Sequence, residues 1–231
     1  MSGRGDAPRG FASPPCFLHE LDPDHNGAPA DEIDPQQARD VERWRKAERA
    51  RLIASRLAIP VNLRASYSER IGDSLADLLG PVEGLTISAY WPIRGEPNLR
   101  RFLEGVAARG GACALPVVIA PRQPVEFRAW SPGDRLVRGV WDIPVPGDDA
   151  PVVLPDVVIA PVVGFDRACC RLGFGGGFYD RTLAAFPSRP RFLGVGYSVA
   201  AIPTIFPQWH DIPLDAVITE HGVVEPEAGR D

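Results

Sequence analysis

The stretch RLGFGGGFYDR, residues 171–181, puts glycine at positions 173, 175, 176 and 177, and this crowding constrains the fold more than any other feature. The apolar run PDVVIAPVVGFD lies just before it, and Phe178, Tyr179 and Leu183 follow at helical spacing. A flexible linker would not be bounded in this way. Strand, bare backbone, then helix is the recipe for an anion site. Glycines admit positive φ, so successive N–H groups can turn into one concavity, and the helix N-terminus adds partial positive charge. Two commoner phosphate motifs are absent. No Gly-Lys-Ser/Thr closes the run, and a GxGxxG pattern started at Gly173 and Gly175 meets Phe178 in place of its third glycine. Arg171 and Arg181 flank the loop and are placed to neutralise phosphate charge. Asp180 beside an anion implies an intervening cation such as Mg²⁺, but it equally suits the first turn of a helix. The residues alone leave a phosphate cradle and a structural turn both open.

The chain around this loop alternates helices and strands. Asp34-Pro35 opens a helix that Pro60 stops, and Arg45, Arg49 and Arg56 share one narrow stripe of it. Taken alone, such a stripe is usually a solvated face. A second helix buries Tyr67, Ile71, Leu75 and Leu78 and ends at Gly80. LTISAYWPIRGEPN reads as a strand entering a loop, and LRRFLEGVAARGG as a helix with Leu99, Phe102, Leu103 and Val106 inward. ACALPVVI, PVEFRAW and RFLGVGY read as strands, the whole of PDVVIAPVVGFD as one central strand, and DAVITE as the last. A helix is expected over about 177–186, and SPGDRLVRGVWDIPVPGDDAP is expected to be a hairpin and loop. The pattern predicts an α/β layered sheet, mostly parallel, with helices on both faces and ligands at the strand ends. Residues 1–37 are expected to be a disordered tail, 38–226 one domain, and 227–231 a short C-terminal tail.

Composition narrows the function. A net charge of -5 argues against a nucleic-acid protein, and 45% apolar content suffices for a sizeable core. Lys46 is the one lysine. Cys16, Cys113, Cys169 and Cys170 contain no CxxC, and the adjacent pair is badly placed to bridge, so reduced thiols are expected. No apolar run is long enough to span a bilayer and the N-terminus lacks the core of a signal peptide, so the expected address is the cytoplasm.

DRACCRLGFGGGFYDRTL resembles the signature of the 5-formyltetrahydrofolate cyclo-ligase family (methenyltetrahydrofolate synthetases). The resemblance extends over about residues 40–224, through the basic first helix, YWPIRGEPN, LPVV, EFRAW, PDVVIAPVVGFD, FLGVGY and HDIPLDAVITE in order. It implies a fold like that of the NagB/RpiA/CoA-transferase group and a monomer. It also implies ATP- and Mg²⁺-dependent conversion of a reduced formyl folate, 5-formyltetrahydrofolate, to 5,10-methenyltetrahydrofolate, ADP and phosphate. In the family's proposed route the formyl oxygen attacks the γ-phosphate, N10 closes the ring and phosphate departs. Such chemistry asks for positioning and charge neutralisation, not a side-chain nucleophile.

The resemblance carries over residue by residue. It assigns ATP binding to Arg45, Arg49, Arg171 and the loop Leu172, Gly173, Phe174, Gly175, Gly176, Gly177, Phe178, Tyr179 and Asp180. Asp180 and Asp211 match metal carboxylates. Gly95-Glu96 matches the folate-contacting pair, and Trp91 and Tyr179 are further substrate candidates, each also readable as a packing residue. His210 is read as a neighbour supporting Asp211. Asp180→Asn is expected to abolish turnover far more than it weakens stability. Three departures bear on substrate choice or activity: Ala200 stands where many members carry glutamine, Cys169-Cys170 where a glycine is usual, and Pro97-Asn98 where an acidic or hydroxyl pair is common. The alternative is a non-catalytic nucleotide- or folate-binding relative, against which the joint presence of Arg45, Arg49, Glu96, Asp180 and Asp211 argues.

Overall fold

A computed structural model describes residues 34–227. The expected tail therefore lies outside the described residues, apart from residues 34–37. Asp34 Oδ1 accepts the Gln36 N–H (2.8 Å), and helix α1 (Pro35–Ala58) begins there. The chain divides into two compact units, Met1–Trp44 and Arg45–Asp231. Of the first, the described residues are the opening turns of α1. The second holds the remainder of that helix and every other element.

Helix α2 (Val61–Leu79) ends at Gly80, whose φ of +64° suits glycine. Strand β1 (Thr86–Ser88), helix α3 (Arg100–Ala108) and strand β2 (Ala112–Val118) form a parallel crossover. β3 (Val125–Ala129) returns antiparallel to β2. β4 (Leu136–Arg138) and β5 (Pro144–Pro146) make the expected hairpin. β6 (Val157–Pro161) lies beside β1, and β9 (Arg191–Val195) and β10 (Ala216–Thr219) extend the parallel set. The sheet order is β3-β2-β1-β6-β9-β10, with a final antiparallel edge strand β11 (Gly222–Val224).

Two expectations are corrected. DAVITE does not hold the last strand: Gly222 takes a φ of +115° and turns the chain back as β11. The run PDVVIAPVVGFD is not one strand. It breaks after β6, and β7 (Gly164–Phe165) leaves the sheet to pair antiparallel with β8 (Arg171–Leu172). Gly164 permits this, since a Cβ there would lie 2.7 Å from Leu52 Cδ1. The glycine loop is thus carried by a small hairpin above the strand ends, followed by helix α4 (Phe178–Ala185).

Strand alternation divides the core between the two sheet faces. Ile87, Leu115, Ile159, Leu193 and Ile218 point towards α2 and α3, against Ile71, Leu75, Phe102 and Leu103. Ala114, Val158, Ala160, Phe192 and Val217 point the other way, with Leu183 of α4. Helices therefore cover both faces, as expected. Gly194 of β9 has no room for a side chain: a Cβ would sit 2.5 Å from Leu214 Cδ1 and 3.1 Å from Val162 Cγ1. Gly194→Ala is expected to destabilise the fold by about 1–3 kcal/mol, read as a lower urea midpoint at unchanged slope.

Candidate active site

The arginine stripe of α1 faces inward. Arg45, Leu52 and Arg56 are all buried. The Arg45 guanidinium donates from Nε to the Ile205 carbonyl (3.0 Å), from Nη2 to the Phe206 carbonyl (2.8 Å) and from Nη1 to Asp211 Oδ1 (3.3 Å), and its Nη2 also meets Asp211 Oδ2. Asp211 accepts the Gln208 N–H as well (2.7 Å), which closes the turn on which it sits. One turn along the helix, Arg49 Nε donates to the Gly173 carbonyl (2.8 Å). Its guanidinium lies beneath Gly175, where a Cβ would stand 3.4 Å from Arg49 Cζ. Gly175 has a φ of +98° and Gly177 of +61°, so a side chain at either would be strained. Arg181 Nη2 donates to the Gly176 carbonyl. Phe174, Gly175 and Gly176 are exposed, whereas Leu172 is buried in the core and contributes backbone only.

Arg171 is buried beneath the loop. Its Nη2 donates to Asp180 Oδ1 (2.6 Å) and its Nη1 to the Ile212 carbonyl (2.8 Å), and the Ile212 N–H returns to Asp180 Oδ1 (3.1 Å). Asp180 and Asp211 thus meet through adjacent residues of one turn, each paired with an arginine. The sequence reading did not single out Asp166, which ties this assembly to the sheet. Asp166 Oδ1 accepts the Ala168 (3.2 Å) and Cys170 (3.0 Å) N–H groups, and Oδ2 accepts that of Ile205 (3.1 Å). In the sequence it ends PVVGFD and opens the signature stretch DRACCRLGFGGG, with nothing to mark its structural work. Burial pushes the neighbouring Cys170 thiol up to about 11, so it is held as a thiol.

A second cluster adjoins the loop. At Gly95, with a φ of +75°, a Cβ would stand 2.7 Å from Arg64 Nη1 and 3.3 Å from Leu57 Cδ2, and the positive φ itself disfavours a side chain. The Glu96 side chain that comes next is 1% exposed; its Oε2 accepts the Ile93 N–H (2.8 Å). Arg56 Nε donates to the Arg94 carbonyl (3.0 Å), and both guanidinium groups, Arg56 and Arg94, lie over the Phe174 ring at 5.6 and 5.8 Å. Phe174 therefore joins the glycine loop to the Glu96 turn. Tyr179 stacks on Phe192 with centroids 6.2 Å apart, and burial, reinforced by the Glu96 charge, pushes its hydroxyl pKa up. Trp91 is held edge-on to Trp130 (6.2 Å) with the Arg100 guanidinium over its ring (5.3 Å), and it packs against the core as its alternative reading had it. His210 is exposed and edge-on to Trp209.

Among the described residues no group of three or more His, Cys, Asp or Glu could cage a metal ion. Mg²⁺ takes one or two protein carboxylates and completes its shell with water and substrate phosphate, so Asp180 and Asp211, each paired with an arginine here, supply the number it would need.

The model of the 5-formyltetrahydrofolate cyclo-ligase family matches residues 41–220. The chain belongs to that family. It is 28% identical over 184 residues to the 5-formyltetrahydrofolate cyclo-ligase of Mycolicibacterium smegmatis, covering 76% of this chain and 94% of the relative. To that of Escherichia coli K12 it is 32% identical over 146 residues, 61% and 80% of the two chains. The solved 5,10-methenyltetrahydrofolate synthetase of Aquifex aeolicus superposes with a TM-score of 0.69 at 27% identity, covering 81% of this chain and 95% of its own. The protein is an enzyme, a ligase of this family.

The geometry revises one expectation about that site. The expectation that Asp180→Asn spares stability relative to turnover is narrowed, because Arg171, its partner, is itself buried, and removing one member of such a pair leaves an uncompensated charge. Asp180→Asn is therefore expected to lower stability as well as turnover. Glu96 carries a pH dependence. Burial pushes its carboxyl from 4.5 up to about 7, opposed by the Ile93 N–H and by Arg56 and Arg94, with Tyr90 and Tyr179 the other ionisable neighbours. The folded protein then keeps a proton that the unfolded chain releases, so stability falls as pH rises from 4.5 to about 7 and levels above that. Roughly 3 kcal/mol is lost across the window. Glu96→Gln is expected to flatten this slope in urea titrations run at several pH values. The slope is the readout, because the substitution also strips Arg56 of its counter-charge.

Proposed function

We propose that this enzyme catalyses the ATP- and Mg²⁺-dependent cyclisation of 5-formyltetrahydrofolate to 5,10-methenyltetrahydrofolate, releasing ADP and phosphate. The observation that carries the proposal is the reach of α1. Arg49 donates to the Gly173 carbonyl and Arg45 engages Asp211, both far away in sequence, so one guanidinium meets the glycine loop and the other meets the neighbouring carboxylate turn.

The chemistry rests on these groups. A formamide carbonyl is a poor electrophile, so its oxygen must become a leaving group. That oxygen takes the γ-phosphoryl group and ADP departs; N10 then adds to the formyl carbon, loses its proton, and expels the oxygen as phosphate. No side chain bonds to the substrate. The backbone amides of residues 173–177 and the α4 N-terminus cradle phosphate, while Arg49 neutralises its charge from below. Asp180 and Asp211 would hold Mg²⁺, which when bound offsets charge on the phosphate oxygens. Glu96 orients the folate, and Phe174, over Arg56 and Arg94, links the two half-sites. The acidic chain, its free buried thiols, and the lack of a helix long and apolar enough to cross a membrane among the described residues support a cytoplasmic enzyme. We take it to act as a monomer on its small-molecule substrates.

Incubation of the purified protein with ATP, Mg²⁺ and 5-formyltetrahydrofolate is expected to generate the methenyl chromophore, read at acid pH, with one ADP per product. Nucleotide binding without that absorbance would establish the non-catalytic alternative instead. Arg49→Met should raise KM for ATP about 10–100-fold, the value of one charged hydrogen bond to phosphate, with the thermal midpoint little changed. Unchanged folate kinetics in Glu96→Ala would refute the placement of the folate.

A further inference from the structure

Arg56 is the third arginine of the α1 stripe, and neither the phosphate cradle nor the metal carboxylates use it. Its side chain is 6% exposed and that of Glu96 1%. Nε is spent on the Arg94 carbonyl, which leaves Nη1 and Nη2 without hydrogen-bond partners, and Glu96 Oε1 has none either. Nη1 stands 3.8 Å from Oε1, beyond hydrogen-bond range. Each buried polar group left unmade costs about 1–3 kcal/mol, so folded proteins rarely leave several together. The Nε bond to Arg94 and the Phe174 ring hold the guanidinium where it is. An adjacent pair of open donors and an open acceptor, this deeply buried, is a site that a ligand completes.

The ligand must present an acceptor to Arg56 and a donor to Glu96 from neighbouring atoms of one plane. The proposed substrate has such an edge on its pterin, where the 4-oxo group adjoins N3–H. The surroundings suit a flat ring: Tyr90 and Tyr197 are buried beside the pair, and the Phe174 ring lies against the Arg56 guanidinium. We propose that Arg56 and Glu96 together read the amide edge of the pterin, and that Arg56 determines selectivity for a 4-oxo over a 4-amino ring. The inference rests on the folate reading above and assigns its specificity. A 4-amino ring turns a donor towards the guanidinium donors and offers Glu96 no N3–H. If that ring instead binds Glu96 as a protonated cation, Arg56 repels it.

The test is calorimetric binding of 5-formyltetrahydrofolate and its 4-amino analogue to the full chain, with a non-hydrolysable ATP analogue present. Wild type should favour the 4-oxo ligand about tenfold or more. Arg56→Met should bring the ratio within about twofold or invert it, and Arg56→Lys should restore part of it. A wild-type ratio retained in Arg56→Met, or no preference in wild type, overturns the inference. Should Arg56→Met not fold, the double variant Arg56→Met/Glu96→Gln removes both buried charges and should lose the preference equally; a ratio kept there is also fatal. The methenyl assay on wild type separates the two proposals. Selectivity without product would sink the cyclisation and leave this assignment standing, whereas product with an unaltered ratio in Arg56→Met would do the reverse.

Discussion

The site depends on one contact, the clamp of the Arg45 guanidinium on Asp211 and on the Ile205 and Phe206 carbonyls. It draws the 205–212 segment against α1, and that segment in turn supplies the Ile212 backbone that holds Asp180 and Arg171. Buried ion pairs of this kind contribute little net stability, because desolvation offsets most of the Coulombic gain. Their value is orientation. A carboxylate fixed by an arginine and a backbone N–H has few rotamers left to lose when a ligand arrives. Leu52, at the centre of the same stripe, packs beside Gly164 where the chain leaves the sheet, so one helix face positions both the hairpin and its ion pairs.

The two glycine-bearing turns solve different problems. In the loop after β8, positive φ at Gly175 and Gly177 leaves the exposed backbone without side chains above Arg49. At Gly95 the turn brings backbone against the Arg64 guanidinium and aims Glu96 inward. Both turns are loops carried on a mostly parallel sheet, and Phe174 brings the first against Arg94 of the second.

Much of this was legible in the residue pattern, and the reason lies in what each signal encodes. Alternating apolar runs report strands, and glycines report backbone that side chains cannot follow, so the sheet, its helices and the loop could be read directly. The stripe of Arg45, Arg49 and Arg56 was visible too, but a helical period says which residues share a face, not what that face meets. Its burial came from pairings across 166 residues for Arg45 and 124 for Arg49, which no local pattern records. The break between β6 and β7 was hidden because Val162 and Val163 are as apolar as a continuing strand; what ends the strand is the hydrogen bonding of Val163 N–H to the Leu172 carbonyl. Asp166 was passed over because three backbone N–H groups on later loops, not a sequence neighbour with chemistry, define its work.

The two halves of the site differ in how complete they are. On the cradle side the ion pairs are closed, Arg45 with Asp211 and Arg171 with Asp180, and Arg49 donates to the Gly173 carbonyl, although Arg181 Nε stays open. On the Glu96 side the donors of Arg56 and one carboxylate oxygen remain open in the interior. Preorganised electrostatics are most effective where charge moves, and in the proposed reaction charge moves at the phosphoryl group. A satisfied cradle fits that demand, since it need not rearrange during transfer. Open valences fit the opposite demand. A ligand that closes them gains the hydrogen bonds and also relieves the cost of leaving them unmade, so discrimination is steepest there. On the proposed function, rate would fall to the glycine loop and its arginines, and choice of substrate to Arg56 and Glu96.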